Sequence, residues 1–202
     1  PLAVALLCIF LLFIRLPLTG ESLYGADFIL YFYPLKEFVR DHLLNHAALP
    51  LWNAYQFSGA PLIGNIQASL FYPLGFLFYV LPSDEAYGYT VVLHCVLASV
   101  FMYSFMRTAA VSKAGSLMSA LVFTFSGFFM GHLYAGHLTF IQNYVWIPLL
   151  FRYLYLLVRT QQLFFAVVAG LIQGIQILGG FPQIAFYTIL GGLGFLCFHG
   201  VL

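Results

Sequence analysis

Charge is what this chain lacks. Asp, Glu, Lys and Arg together make up 6% of its 202 residues, where soluble domains carry about 25%. So few charges cannot dress a water-exposed surface. With 63% hydrophobic residues and a mean hydropathy of +0.98, the chain reads as an integral membrane protein. No run of Lys or Arg occurs, so nothing answers to nucleic acid as a partner. Cysteine is sparse too. Cys8, Cys95 and Cys197 sit in separate apolar segments without metal-ligand spacing, and they read as small buried hydrophobes. Internal repeats and low-complexity tracts are missing. No Met opens the chain, and both its ends lie inside apolar runs, so the sequence reads as a piece of a longer protein. The opening "PLAVALLCIFLLFI" has neither the basic flank nor the small-x-small cleavage site of a signal peptide. It reads as a truncated first transmembrane helix.

What is present is a series of apolar segments near the roughly 17–25 residues that a crossing needs. They are 1–16, 88–107, 114–131, 141–158, 163–179 and 184–202, which predicts an all-α polytopic bundle of six spans. Between the first two lies a large loop, 17–87. Its last piece, "LFYPLGFLFYVLP" at 70–82, is short and interrupted by Pro73 and Gly75, so it reads as interfacial rather than crossing. Arg107 and Lys113 then bracket one loop, and Arg159 follows the fourth span on the same side. The positive-inside rule puts that side in the cytoplasm and the 17–87 loop outside. Arg15, near the outer end of the first span, is an exception that can snorkel to headgroups. Within the loop, "YPLKEFVRDHLLNHAALPLW" predicts an amphipathic helix on the membrane surface. Leu35, Phe38, Val39, Leu43 and Leu44 form its apolar face; Lys36, Glu37, Arg40 and Asp41 lie mostly elsewhere.

This topology gathers four polar clusters on the outer side. They are Asp27, the amides Asn53, Gln56, Asn65 and Gln67, the pair His132 and His137 with Gln142 and Asn143, and Gln183. Ionisable groups at membrane depth are costly and tend to serve function. A carboxylate such as Asp27 can act as a general base or bind a divalent metal beside a phosphate; the competing reading is a helix cap. Glu21 reads as a polar flank. His132 and His137 are five apart, which is not the i, i+4 spacing of a helical ligand pair, yet on a loop they can converge on a phosphate. Gly136 beside His137 permits close backbone approach. His94 and His199 fall within spans as buried imidazoles, and His42 and His46 sit on the surface helix. Trp52 beside Asn53 offers a face for a sugar ring, with packing as its competing role.

Three stretches, "LPLWNAYQFSGAPLIGNIQASLFYPLGFLFYVLP", "FSGFFMGHLYAGHLTFIQNYVWIPLLF" and "GGFPQIAFYT", together resemble the YfhO-like bacterial membrane proteins, which look like members of the GT-C class of glycosyltransferases. The resemblance runs from about Asp27 to Tyr187. It implies an N-terminal part of a GT-C-like transmembrane domain in a bacterial cytoplasmic (inner) membrane. It also implies sugar transfer from a polyprenyl-phosphate donor to an extracytoplasmic cell-envelope glycan, lipid or protein acceptor, with a key acid soon after the first span. Asp27 occupies that place. Many members of the class carry an acidic pair there, whereas this chain has Ala26 before Asp27, so a divalent metal lacks a paired acidic motif. Phe181 stands where relatives often have His. The expected roles are Asp27 as base, His137 and His132 at the leaving phosphate, and Gln183, Asn65, Gln67 and Trp52 toward the sugar. A transporter or flippase of lipid-linked sugars, or a non-catalytic membrane assembly protein, would share the fold class. Transporters tend to show inverted repeats and midplane polar sites, and neither is visible here.

Overall fold

The computed structural model describes residues 1–15 and 22–201; Glu21 lies outside them. The chain is helical almost throughout. Its β structure, among the described residues, is a two-residue antiparallel ladder of β1 (Trp52–Asn53) on β2 (Ala60–Pro61).

Helix α1 (Leu2–Phe13) opens the bundle. A helical stretch beginning at Ala26 then passes through a π-helical turn at Phe28–Phe32, closed by the Tyr33 N–H donating to the Phe28 carbonyl. It continues as α2 (Tyr33–His46), whose Pro34 suits a first turn. Leu35 and Val39 are buried as the amphipathic pattern predicts, while Leu44 is exposed. Lys36 departs from its expected polar face: it is buried, and its Nζ donates to the Ala68 carbonyl at 2.7 Å and to Ser69 Oγ at 3.0 Å. Burial pulls its pKa down to about 7, because removing an ammonium from water disfavours its charged form. The helix therefore docks on the 62–70 loop through Leu62, Ala68 and Leu70 rather than presenting a simple two-faced surface.

Segment 70–81 forms a 3₁₀ turn, Pro73–Phe76, and a four-residue helix, α3 (Leu77–Val80), far too short to cross a bilayer. Tyr72 and Phe78 plug it into the bundle core. The Tyr72 hydroxyl donates to His94 Nε2 at 2.7 Å and accepts from Trp146 Nε1 at 3.0 Å. His94 Nδ1 lies 2.7 Å from the Thr90 carbonyl. A carbonyl only accepts, so Nδ1 carries the proton and Nε2 is free to accept from Tyr72. His94 is thus a satisfied interior imidazole.

Helix α4 (Ser83–Thr108) has 26 residues and rises about 39 Å. It is the spine of the bundle, touching α1, α2 and α3 as well as three helices that follow it. It starts five residues before the expected 88. Asp84 and Glu85 in its first turn favour the positive helix end, and Glu37 Oε1 accepts the Ser83 N–H at 2.7 Å, satisfying an orphan donor there. Hydropathy misses that polar first turn.

Two further expected spans are broken. The 114–131 segment is α5 (Lys113–Thr124) and α6 (Gly127–Ala135), started by the Ser112 and Ser126 hydroxyls accepting from Gly115 and Phe129 N–H. The 141–158 segment is α7 (Leu138–Tyr144) and α8 (Ile147–Thr160), with Pro148 in the first turn of α8 where the ladder cannot continue. Helices α9 (Leu163–Leu178) and α10 (Pro182–Val201) complete the bundle. Among the described residues, three helical stretches are long and apolar enough to cross a membrane: α4, the α5–α6 pair at Lys113–Ala135, and α10 over Pro182–His199; α1 and α9 are apolar but shorter. On α4 and α5 the small residues Ala98, Ser99, Ser116, Ala120 and Thr124 are fully buried, and Ser99 Oγ lies 2.9 Å from Thr124 Oγ1. Small residues and a hydroxyl bond of this kind hold apolar helices together where the hydrophobic effect between them is weak.

Candidate functional site

The site lies at the end of the bundle where α4 begins, and two glycines create it. A Cβ on Gly25 would sit 2.4 Å from the Gly136 Cα; one on Gly136 would sit 2.7 Å from the Phe28 N. Gly136 ends α6 at φ +86, a left-handed conformation that suits glycine. Bare backbone therefore lies on bare backbone. The segment carrying Asp27 rests directly on the turn that carries His137.

The Asp27 side chain makes no helix-capping bond. Its Oδ2 lies 2.7 Å from His137 Nε2, and His137 Nδ1 lies 2.5 Å from His132 Nδ1. With the carboxylate ionised, it can only accept, so His137 Nε2 carries a proton. In the neutral pair His137 Nδ1 is then the acceptor and His132 Nδ1 the donor. Both nitrogens of His137 are spent. Two groups keep no partner among the described residues: Asp27 Oδ1 and His132 Nε2. The Asp27 side chain keeps 55% of its exposure and His137 34%, so the chain of bonds opens to the outside. His132 is held by its ring, stacked on Phe140 at 3.7 Å between centroids and edge-on to Phe128 at 4.9 Å.

A cavity of about 370 Å³ lies over this chain, lined by Asp27, Tyr31, Gln67, His132, His137 and Phe181 among others. The half-buried Gln67 amide has no side-chain bond to the described residues, leaving it available to a ligand. Asn65 is committed to structure: its Oδ1 accepts the Gln67 N–H at 3.1 Å and its Nδ2 donates to the Tyr31 hydroxyl at 3.1 Å. It fixes the loop and ring that line the cavity without lining it. The other sequence candidates lie elsewhere. Gln183 belongs to the first turn of α10, because Pro182 begins the helix, and its Nε2 donates to the Tyr187 hydroxyl at 3.0 Å. Trp52 is exposed on β1, its indole covering Gly59.

Gln142 and Asn143, grouped with the histidines by sequence, turn inward on α7 and are fully buried. Asn143 Nδ2 donates to the Thr139 carbonyl at 2.9 Å, and the Asn143 carbonyl accepts from Gln176 Nε2 at 3.0 Å. Three residues that line the cavity, Tyr31, Phe32 and Thr139, were not among the candidates from sequence. Tyr31 follows Asp27 by four residues, a spacing that shares a helical face, and that was the available signal.

Among the described residues no group of three or more His, Cys, Asp or Glu is arranged to hold a metal ion; Asp27, His137 and His132 bond in series rather than converge. Compared with models of known families, with characterised proteins and with solved structures, the chain matches none.

Proposed function

We propose that the protein is a membrane glycosyltransferase that moves a sugar from a polyprenyl-phosphate donor to a cell-envelope acceptor at the outer face of a bacterial inner membrane. The observation that carries this reading is the Asp27–His137–His132 series, which leaves one carboxylate oxygen and one imidazole nitrogen unspent at a single cavity. The resemblance to YfhO-like proteins of the GT-C class, which expects a key acid at this place, supports it. So does charge: all six acidic residues precede residue 86, and Arg107, Lys113, Arg152 and Arg159 follow it without any acid. Arg152 Nε donates to Thr108 Oγ1 at 3.0 Å, so cations gather at the end of α4 opposite Asp27. Under the positive-inside rule that end is cytoplasmic, in keeping with a six-span topology in which α1, the α7–α8 pair and α9 also cross.

In the proposed step Asp27 Oδ1 accepts the proton of an acceptor hydroxyl as its oxygen bonds to the anomeric carbon. The bond from that carbon to the phosphate oxygen breaks, and the electron pair leaves with the lipid phosphate. His137 holds the carboxylate in place through Nε2. On a pair carrying one further proton, His137 donates through Nδ1 to His132 Nδ1, and the His132 Nε2–H donates to the departing phosphate oxygen. Gln67 orients sugar hydroxyls, and the aromatic rings of Phe32 and Phe181 face the apolar parts of the ligand.

The test is a transfer assay on the full-length protein with a panel of polyprenyl-phosphate sugars. Asp27→Asn keeps size and removes the base, so product formation should fall by about 10²–10⁴-fold with membrane insertion unchanged. Near-normal transfer by that variant would remove Asp27 from the chemistry. Movement of lipid-linked sugar without product from either form would make the protein a transporter.

A further inference from the structure

Tyr31 belongs to the wall of a second cavity, about 460 Å³, between α2 and the loop after β1. Phe38, Asp41, Asn53, Tyr55 and Gln56 also line it. Asn53 is more than nine-tenths buried. Its Oδ1 accepts the Tyr55 N–H at 2.9 Å, but its Nδ2 has no partner among the described residues. That nitrogen is not sealed from solvent, so it opens into the cavity and can donate to an occupant with acceptor atoms. The Gln56 side-chain amide and the Asp41 carboxylate are likewise without side-chain partners among the described residues. Tyr55 is 87% exposed and stands edge-on against Phe38, ring centroids 5.9 Å apart, which leaves its face open.

The inventory selects a ligand class. Donors (Asn53, Gln56), acceptors (Asp41, Gln56) and an open aromatic face match a molecule whose groups both donate and accept and which has an apolar flank. A sugar ring is such a molecule. An anion is disfavoured: two carboxylates, Glu37 and Asp41, line the cavity, and Arg40, bound to Glu37 at 3.5 Å, does not. A lipid chain would leave Asn53 unsatisfied. We propose that this cleft binds a neutral sugar ring of the acceptor, with Tyr31, held by Asn65, separating it from the Asp27 cavity. The proposal rests on the transfer reading for the word acceptor, and on the cleft alone for the word sugar.

Saturation-transfer NMR on the full-length protein in lipid nanodiscs tests it, with methyl glucoside, methyl galactoside and methyl N-acetylglucosaminide as probes. At least one should bind saturably. Asn53→Asp keeps the oxygen that holds the Tyr55 N–H and removes the open donor; it should weaken binding about tenfold, the worth of one good hydrogen bond. Tyr55→Ala, at an exposed position, should weaken it at least as much, and Asp27→Asn should leave it unchanged. No saturable binding by any probe, or binding indifferent to both cleft variants, overturns the proposal, as does equal binding of a sugar phosphate that both cleft variants weaken. Saturable binding that both variants weaken, with no transfer product from any donor, sinks the transfer reading and keeps the sugar cleft. Transfer whose acceptor KM ignores both variants keeps the transfer reading and sinks the cleft.

Discussion

Replacing Gly136 by Ala tests whether the bare contact of two backbones builds the site. The new Cβ would meet the Phe28 N at 2.7 Å and the Gly25 carbonyl carbon at 2.9 Å. Ordinary heavy-atom contact needs about 3.5 Å, so the 25–28 segment must retreat by about 0.8 Å. That shift stretches the 2.7 Å Asp27–His137 bond to about 3.5 Å, where little of it survives. Two costs add: about 1–2 kcal/mol for a side chain in the left-handed region and about 1–3 kcal/mol for overpacking. The control is Gly131→Ala on α6, where nothing lies within 4 Å of the added carbon and helix propensity improves by up to about 1 kcal/mol. In nanodiscs, thermal melting and the His137 imidazole nitrogen resonances should both change for Gly136→Ala and hold for Gly131→Ala. Identical melting and identical His137 resonances in the two variants would refute the reasoning.

Two other outcomes follow from buried groups. Lys36 has a folded-state pKa of about 7 against about 10.4 unfolded, so between these values the unfolded chain holds a proton that the folded one lacks. Stability should therefore rise with pH across that window, by at most about 1.4 kcal/mol per unit, and stay flat below it on this account. In Lys36→Met, melting temperature measured against pH should lose that slope. Tyr72→Phe removes the hydroxyl shared by His94 and Trp146 and leaves two buried groups unpaired. A loss of about 2–4 kcal/mol in chemical denaturation is expected, and a loss under 0.5 kcal/mol would count against the network.

The helices were legible because apolar length survives in composition: 163–179 was expected and Leu163–Leu178 is found. Their interruptions were less so. Hydropathy averages over Ser126 and Pro148, whose effects are capping and the missing N–H rather than polarity. Lys36 was misjudged because an isolated helix gives no hint that the Ala68 carbonyl and Ser69 hydroxyl will meet its ammonium. Asp27 and His137 stood out as rare polar groups in apolar surroundings, and charge placement put them on one side. Their contact depends on Gly25 and Gly136, far apart in sequence, and no local pattern announces that approach. Gln142 and Gln183 lie away from the cavity on helices that start at Leu138 and Pro182, three and two residues before the expected 141 and 184, and each residue of a helix turns a side chain by about 100°.

The π-helical turn at Phe28–Phe32 has a consequence for length variation. It accommodates one residue more than an α-helical path between Asp27 and α2 would need. Deleting a single residue there can let the backbone relax into a regular helix, an easy change for folding. The wide turn winds less per residue than an α-helix, so losing it together with its extra residue keeps Asp27 and α2 nearly in phase. A deletion in the regular turn between Tyr33 and Lys36 has no such slack. It would swing Asp27 by about 100° around the axis, away from His137, so the interval from Gly25 to Lys36 can lose a residue at the wide turn and nowhere else.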